Sequence, residues 1–210
     1  MNMTAICRSV TVLGSTGSIG HSTLDVISQH TDQFRVFALV AHRDAETLAT
    51  QCEQFHPQMA ILTDAHAAQR LKTRLMACGI TTRVYTDKQA VLDAVTDPRV
   101  DTVVAAIAGA AGLTPTLTAI TAGKRVLLAN KESLVMAGAL FQEAIRLNGG
   151  ILLPIDSEHN AIFQVLPKDY CGNPHAHGIR RVYLTASGGA LRDYPLASLK
   201  TVTPQHALRH

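Results

Sequence analysis

Short apolar runs alternate with amphipathic segments along most of this chain. Residues 9–13, 34–40, 59–62, 100–107, 124–129 and 151–155 are compact runs rich in Val, Leu and Ile. Runs of that length bounded by turn residues read as buried strands. Residues 83–85 predict a further short strand. Between the runs, helical spacing predicts helices over 18–29, 45–55, 65–77, 88–95, 113–122 and 133–147. Leu24, Val26 and Ile27 are expected on the inner face of the first, and Asp44 as the cap of the second. Pro115 suits a first helical turn, and Asn148-Gly149-Gly150 is a helix stop. Strands separated by helices of about ten residues signal repeated βαβ units. The expected fold is therefore α/β, a doubly wound parallel sheet of Rossmann type. The pattern changes after Asp156. Residues 169–178 read as a loop, and Arg181-Val182-Tyr183-Leu184-Thr185 as one more strand. The boundary predicted is a first domain over 1–155 and a second segment over 156–210. About fifty-five residues lie near the lower limit for an independent core, so that segment is expected to belong to a larger domain.

Composition narrows the class. Hydrophobic residues make up 47% of 210 and charged residues 17%, which favours a sizeable core over disorder. Aromatics are 4% and Trp is absent, so that core is aliphatic and suits helices packed closely on a sheet. A net charge of +3 is too small to argue for nucleic acid, and fits an anionic small molecule only weakly. Cys7, Cys52, Cys78 and Cys171 are scattered with no zinc-type spacing, and read as reduced, mostly buried thiols of a cytoplasmic protein. The first nine residues lack the pattern of a signal peptide, and the longest apolar stretch is too short to span a membrane.

Five clusters carry candidate chemistry, each just after an apolar run. Gly14-Ser15-Thr16-Gly17-Ser18-Ile19-Gly20 lies between the first strand and first helix. Glycines there permit a tight turn and close approach to a pyrophosphate, which the helix amides then bind. After the second strand, an NAD site carries an acid for the ribose hydroxyls. This chain has His42-Arg43-Asp44 instead. Arg43 can pair with a 2′-phosphate, which predicts NADPH over NADH, while Asp44 also reads as a simple cap. Asn130-Lys131-Glu132 follows another strand, with Lys131 suited to an anionic substrate or enolate-like oxygen, and reads equally as a helix start with Glu132 near its positive end. Asp156-Ser157-Glu158 places two carboxylates after the last strand of the series. They are hard oxygen donors for Mg²⁺ or Mn²⁺, and equally the start of a helix. Ser187-Gly188-Gly189 is either an anion nest or a plain turn.

Together these stretches resemble the 1-deoxy-D-xylulose 5-phosphate reductoisomerase family. The resemblance rests on Leu13–Gly20, on Leu127-Leu128-Ala129-Asn130-Lys131-Glu132-Ser133-Leu134-Val135, and on Leu153-Pro154-Ile155-Asp156-Ser157-Glu158-His159-Asn160-Ala161-Ile162-Phe163-Gln164. It covers all 210 residues but only about the first half of the family's chain. It implies NADPH- and metal-dependent isomerisation and reduction of 1-deoxy-D-xylulose 5-phosphate to 2-C-methyl-D-erythritol 4-phosphate, in non-mevalonate isoprenoid synthesis. It implies that residues 156–210 begin an α+β catalytic domain. Carried over by position, Asp156 and Glu158 are metal ligands. Lys131, Ser157, Glu158, Ser187 and His210 contact substrate, with Lys131, Asp156 and Glu158 catalytic. Thr16, Gly17, Ser18, Ile19, His42, Arg43, Asp44, Asn130 and Glu132 line the NADPH site. The family's homodimer is implied for the full-length protein.

Three departures qualify the resemblance. The family's Gly-Lys-Asn is His42-Arg43-Asp44 here, which keeps the cation but adds an acid. Its Gly-Ser-Gly-Gly-Pro-Phe loop is Ala186-Ser187-Gly188-Gly189-Ala190-Leu191 here. The family's lid and third carboxylate ligand lie in a segment that these 210 residues do not contain. The chain by itself is therefore expected to bind NADPH without appreciable turnover. The alternatives are an NADPH-binding module that does no chemistry, and another NADP-dependent oxidoreductase in which Asp156 and Glu158 merely cap a helix.

Overall fold

A computed structural model describes residues 7–170, 172–186 and 188–209. The chain divides into two units, Met1–Asp156 and Ser157–His210.

The first unit is built from β1 (Arg8–Leu13), α1 (Ser18–Gln29), β2 (Phe34–Ala41), α2 (Ala45–Phe55), β3 (Met59–Leu62), α3 (Ala65–Ala77) and β4 (Arg83–Tyr85). It continues through α4 (Lys88–Thr96), β5 (Thr102–Ala105), α5 (Leu113–Thr121), β6 (Arg125–Leu128), α6 (Lys131–Asn148) and β7 (Ile151–Pro154). The seven strands form one parallel sheet in the order β4-β3-β2-β1-β5-β6-β7. The early strands grow outward from β1 in one direction and the later ones in the other. The reversal lies between β1 and β5, where open α/β sheets leave a crevice at the strands' carboxyl ends.

Alternation along each strand divides the core into two layers. Val10, Val12 and Leu39 pack with Leu24, Leu48, Leu71 and Leu75 of α1, α2 and α3. Leu13, Val40 and Val103 pack with Val91, Val95, Ile120 and Phe141 of α4, α5 and α6. Helices on both faces make the sheet doubly wound, the α/β class that the alternating pattern predicts.

The strand runs at 100–107, 124–129 and 151–155 are trimmed to the four-residue strands β5, β6 and β7, because polar turn backbone takes over at each end. The helix expected from 133 starts at Lys131, since the Asn130 side chain caps it. Val26 corrects the expected inner face of α1. Leu24 and Ile27 are buried three residues apart, while Val26 is 52% exposed. It lines an apolar groove with Ile19, Val104, Leu127 and Ile155 instead. The thiols also differ from expectation: Cys52 is buried, but Cys78 is exposed and Cys7 only partly covered. Cys171 lies outside the described residues.

The second unit holds α7 (Ser157–Val165), 3₁₀ turns at His175–His177, Gly189–Leu191 and Leu196–Thr201, and a short α8 (Pro204–Ala207). The strand expected over Arg181–Thr185 is absent: the segment has no regular structure, and Val182, Tyr183 and Leu184 are exposed. A strand needs a ladder partner, and the described residues of this unit supply none. No described residue of the unit is buried.

Candidate active site

Three of the expected clusters in the first unit lie where β1, β6 and β7 end, on one edge of the sheet. β6 and β7 are neighbours, with Leu128 opposite Pro154. β1 is separated from β6 by β5 alone.

The glycine turn is held from several sides. The amides of Gly14 and Ser15 both donate to the Val40 carbonyl oxygen, at 2.8 and 2.9 Å, and Gly17 N donates to Gly14 O at 3.1 Å. Gly14 has φ +81°, and a Cβ there would stand 2.6 Å from Ala106 O. A Cβ on Gly20 would stand 2.4 Å from the carbonyl oxygens of both Gly14 and Ser15. Both positions therefore require glycine, the first for conformation and approach, the second for close helix packing. The helix that follows differs at its start from α2, α3, α4 and α6, and resembles α5. Asp44, Asp64, Asp87 and Asn130 cap α2, α3, α4 and α6 with side-chain acceptors. α1 begins at Gly17 with no side-chain cap and no acid in its first turn. Its amide end, formed by residues 16–19, has no side-chain acceptor at the cap, the kind of helix start that can bind an anion.

At the end of β2, Asp44 Oδ1 accepts from Thr47 N at 3.0 Å. The Thr47 hydrogen bonds hold its carboxyl below the ordinary carboxylate range, with His21 adding to the effect. The acid is thus committed to the start of α2, which leaves Arg43 as the neighbouring cation for an anionic ligand. His42 Nδ1 lies 2.8 Å from Thr63 Oγ1.

Asn130 is buried, and its side chain is engaged within the protein. Nδ2 donates to Ile107 O at 2.6 Å and to Gly109 O at 2.9 Å, while Oδ1 accepts from Ser133 N at 3.2 Å. It joins the loops that follow β5 and β6. Glu132 is exposed in the first turn of α6. Lys131 Nζ donates to Asp156 Oδ1 at 3.0 Å, with Asp156 17% and Lys131 53% exposed. In the second unit, Ser157 Oγ donates to Glu158 Oε2 at 2.8 Å, in the first turn of α7. The helix start expected for this stretch is thus observed. Ser187 and His210, expected at the substrate, lie outside the described residues. Among the described residues no group of three or more His, Cys, Asp or Glu could hold a metal ion. Cys52 is no rival centre, since burial pushes its thiol up to about 12.

The motifs are shared with proteins of known type. Residues 10–138 match the family 1-deoxy-D-xylulose 5-phosphate reductoisomerase, and residues 152–210 match its C-terminal domain. The chain belongs to the 1-deoxy-D-xylulose 5-phosphate reductoisomerase family. The family's enzyme from Pseudomonas syringae is 52% identical over 203 residues, which are 97% of this chain and 51% of the relative. That from Dechloromonas aromatica is 51% identical over 208 residues, 99% of this chain and 52% of the relative. This reductoisomerase-family chain thus spans about half the length of the curated relatives it matches. Among solved structures, the Zymomonas mobilis reductoisomerase in complex with NADPH has TM-score 0.80 at 45% identity, over 97% of this chain and 52% of that one. A DOX-P reductoisomerase in complex with NADPH, fosmidomycin and magnesium has TM-score 0.82 at 40% identity, over 95% and 50%.

Two relationships were not foreseen from the sequence: the Lys131–Asp156 ion pair, and the seating of Gln51 against the glycine turn. Gln51 Nε2 donates to Ser15 O at 2.8 Å. A polar residue beside the apolar stripe Ala45, Leu48, Ala49, Cys52 is the signal that marks it.

Proposed function

We propose that this chain supplies the NADPH site and the metal-binding carboxylates of an enzyme that converts 1-deoxy-D-xylulose 5-phosphate to 2-C-methyl-D-erythritol 4-phosphate. The observation that carries the reading is the convergence of the glycine turn, Lys131 and Asp156 on one edge of the sheet. Residues 1–155 form the dinucleotide-binding domain, and residues 156–210 begin the catalytic domain. When bound, NADPH supplies the hydride, and a Mg²⁺ or Mn²⁺ ion at Asp156 and Glu158 supplies Lewis-acid polarisation of the sugar's oxygens.

The chain's own groups bind and orient. The amide end of α1, with Thr16, Gly17, Ser18 and Ile19, takes the pyrophosphate. Arg43 and His42 take the adenosine 2′-phosphate, while Asp44 is withheld by its cap. Asn130 fixes the wall of the cofactor site by tying the 107–109 loop to the start of α6, and Glu132 borders it. Lys131 presents positive charge to substrate oxygen while holding the Asp156 carboxylate in place. Ser157, Glu158, Ser187 and His210 contact the sugar phosphate.

A second reading concerns the chain by itself. The described residues of the second unit bury nothing, which supports NADPH binding with negligible turnover by the 210 residues alone. The complete protein is proposed to act as a cytoplasmic homodimer in non-mevalonate isoprenoid synthesis. Following NADPH absorbance with substrate and Mn²⁺ tests both readings. Turnover by the complete protein supports the first, and sustained turnover by the 210 residues alone would overturn the second.

A further inference from the structure

Gln51 is 5% exposed and sits 36 residues from the turn it touches. Its Nε2 donates 2.8 Å to the carbonyl oxygen of Ser15, the residue between Gly14 and the anion-facing Thr16. Ser15 is fully buried, and its amide is held by Val40 O. A buried carbonyl requires a donor, and here the donor comes from α2, not from the turn itself.

The arrangement carries a cost. Gln51 Oε1 and Ser15 Oγ are both buried without a hydrogen-bond partner in the protein. An unpartnered buried acceptor disfavours folding, and an apolar side chain of the same length would avoid it. Buried polar groups of this kind concentrate at functional or strained sites.

We infer that Gln51 is a positioning residue for the dinucleotide pyrophosphate. It turns the Ser15 carbonyl toward α2, so that the amides after it face the anion at the start of α1. The inference rests on the proposed NADPH reading and names the group that shapes its pyrophosphate end. Gln51 also lies about 9 Å along α2 from Ala45, the residue that follows Arg43 and Asp44. The same helix therefore fixes the spacing between the 2′-phosphate end and the pyrophosphate end. Because both cofactors carry a pyrophosphate, Gln51 acts on NADPH and NADH alike.

The test compares Gln51→Met, which keeps the length and removes the donor, with Gln51→Asn, which keeps the amide and cannot reach. Leu48→Ala in the same helix is the packing control. Dissociation constants for NADPH and NADH are measured by fluorescence titration on the complete protein, beside thermal midpoints. Loss of one buried hydrogen bond is expected to weaken both cofactors about tenfold in either Gln51 variant, with their ratio unchanged. Leu48→Ala is expected to lower the midpoint and leave both constants alone. Should Gln51→Met fail to fold, Gln51→Asn carries the same expectation. Unchanged constants in a folded Gln51 variant would overturn the inference and leave the NADPH reading intact. Weakening confined to NADPH would also overturn it, by moving Gln51 to the 2′-phosphate. Failure of the unmodified protein to bind either cofactor would end the NADPH reading and this inference together.

Discussion

Lys131 and Asp156, 25 residues apart in the chain, meet where β6 and β7 end, with Nζ 3.0 Å from Oδ1. The pair places a cation against one of the proposed metal ligands. Lys131→Met removes that local repulsion, so Mn²⁺ should bind about two- to fivefold more tightly by calorimetry, as for weak surface charge pairs. Turnover should nonetheless fall about 10²- to 10³-fold, since the donor proposed for the substrate oxygen is gone. Unchanged turnover would remove Lys131 from the chemistry.

Glu158→Gln separates metal from cofactor. In the complete protein it should bring turnover to background while NADPH affinity stays at its original value. Stopped turnover together with lost NADPH binding would instead point to a folding defect.

Arg43→Glu addresses cofactor choice. An Arg–phosphate interaction contributes about 1.5–3 kcal/mol, so the NADPH/NADH preference should drop roughly ten- to a hundredfold. An unaltered ratio of kcat/KM values would assign the 2′-phosphate to another group, with His42 next in line.

Much of this was readable before any coordinates. Most of the strands announced themselves because buried parallel strands are nearly continuous apolar runs, as in Val36–Val40 and Val103–Val104, whereas β4 is short and only partly covered. The glycine turn was legible because Gly14 and Gly20 each answer a local steric demand. What escaped was set by distance in sequence. Nothing near Asp156 announces Lys131, and nothing near Ser15 announces Gln51, because tertiary folding alone brings those partners together. Val26 was misplaced because a single residue's step of about 100° around a helix carries it off the buried stripe. Arg181–Thr185 has strand composition but no ladder partner among the described residues, and composition cannot supply one.

Asp44 makes an acid-stability prediction. Its folded value lies below the ordinary 3.8, so its contribution is full above that pH and fades as pH falls through the folded value. Asp44→Ala should cost about 1 kcal/mol near neutrality by denaturant titration, with the gap to the unmodified protein closing in strong acid. A gap that stays constant down to low pH would assign the effect to packing.

Gly20→Ala should damage the turn, since its Cβ meets two backbone oxygens that cannot swing aside. A loss of about 1–3 kcal/mol and impaired cofactor binding are expected, checked by thermal melts and titration. Unaffected affinity would show that the turn can yield.

The position of β5 beside β1 has a consequence in time. The glycine turn leaves the ribosome before its backing at Ala106, the residue that follows β5. Ser9 waits for Asp101, 92 residues downstream, to take its amide at 2.8 Å. Until β5 inserts, Gly14 has a turn without a wall. Under the proposed function, a nascent chain short of that point cannot grip NADPH. The cofactor thereby becomes a clock, marking when the centre of the sheet has closed.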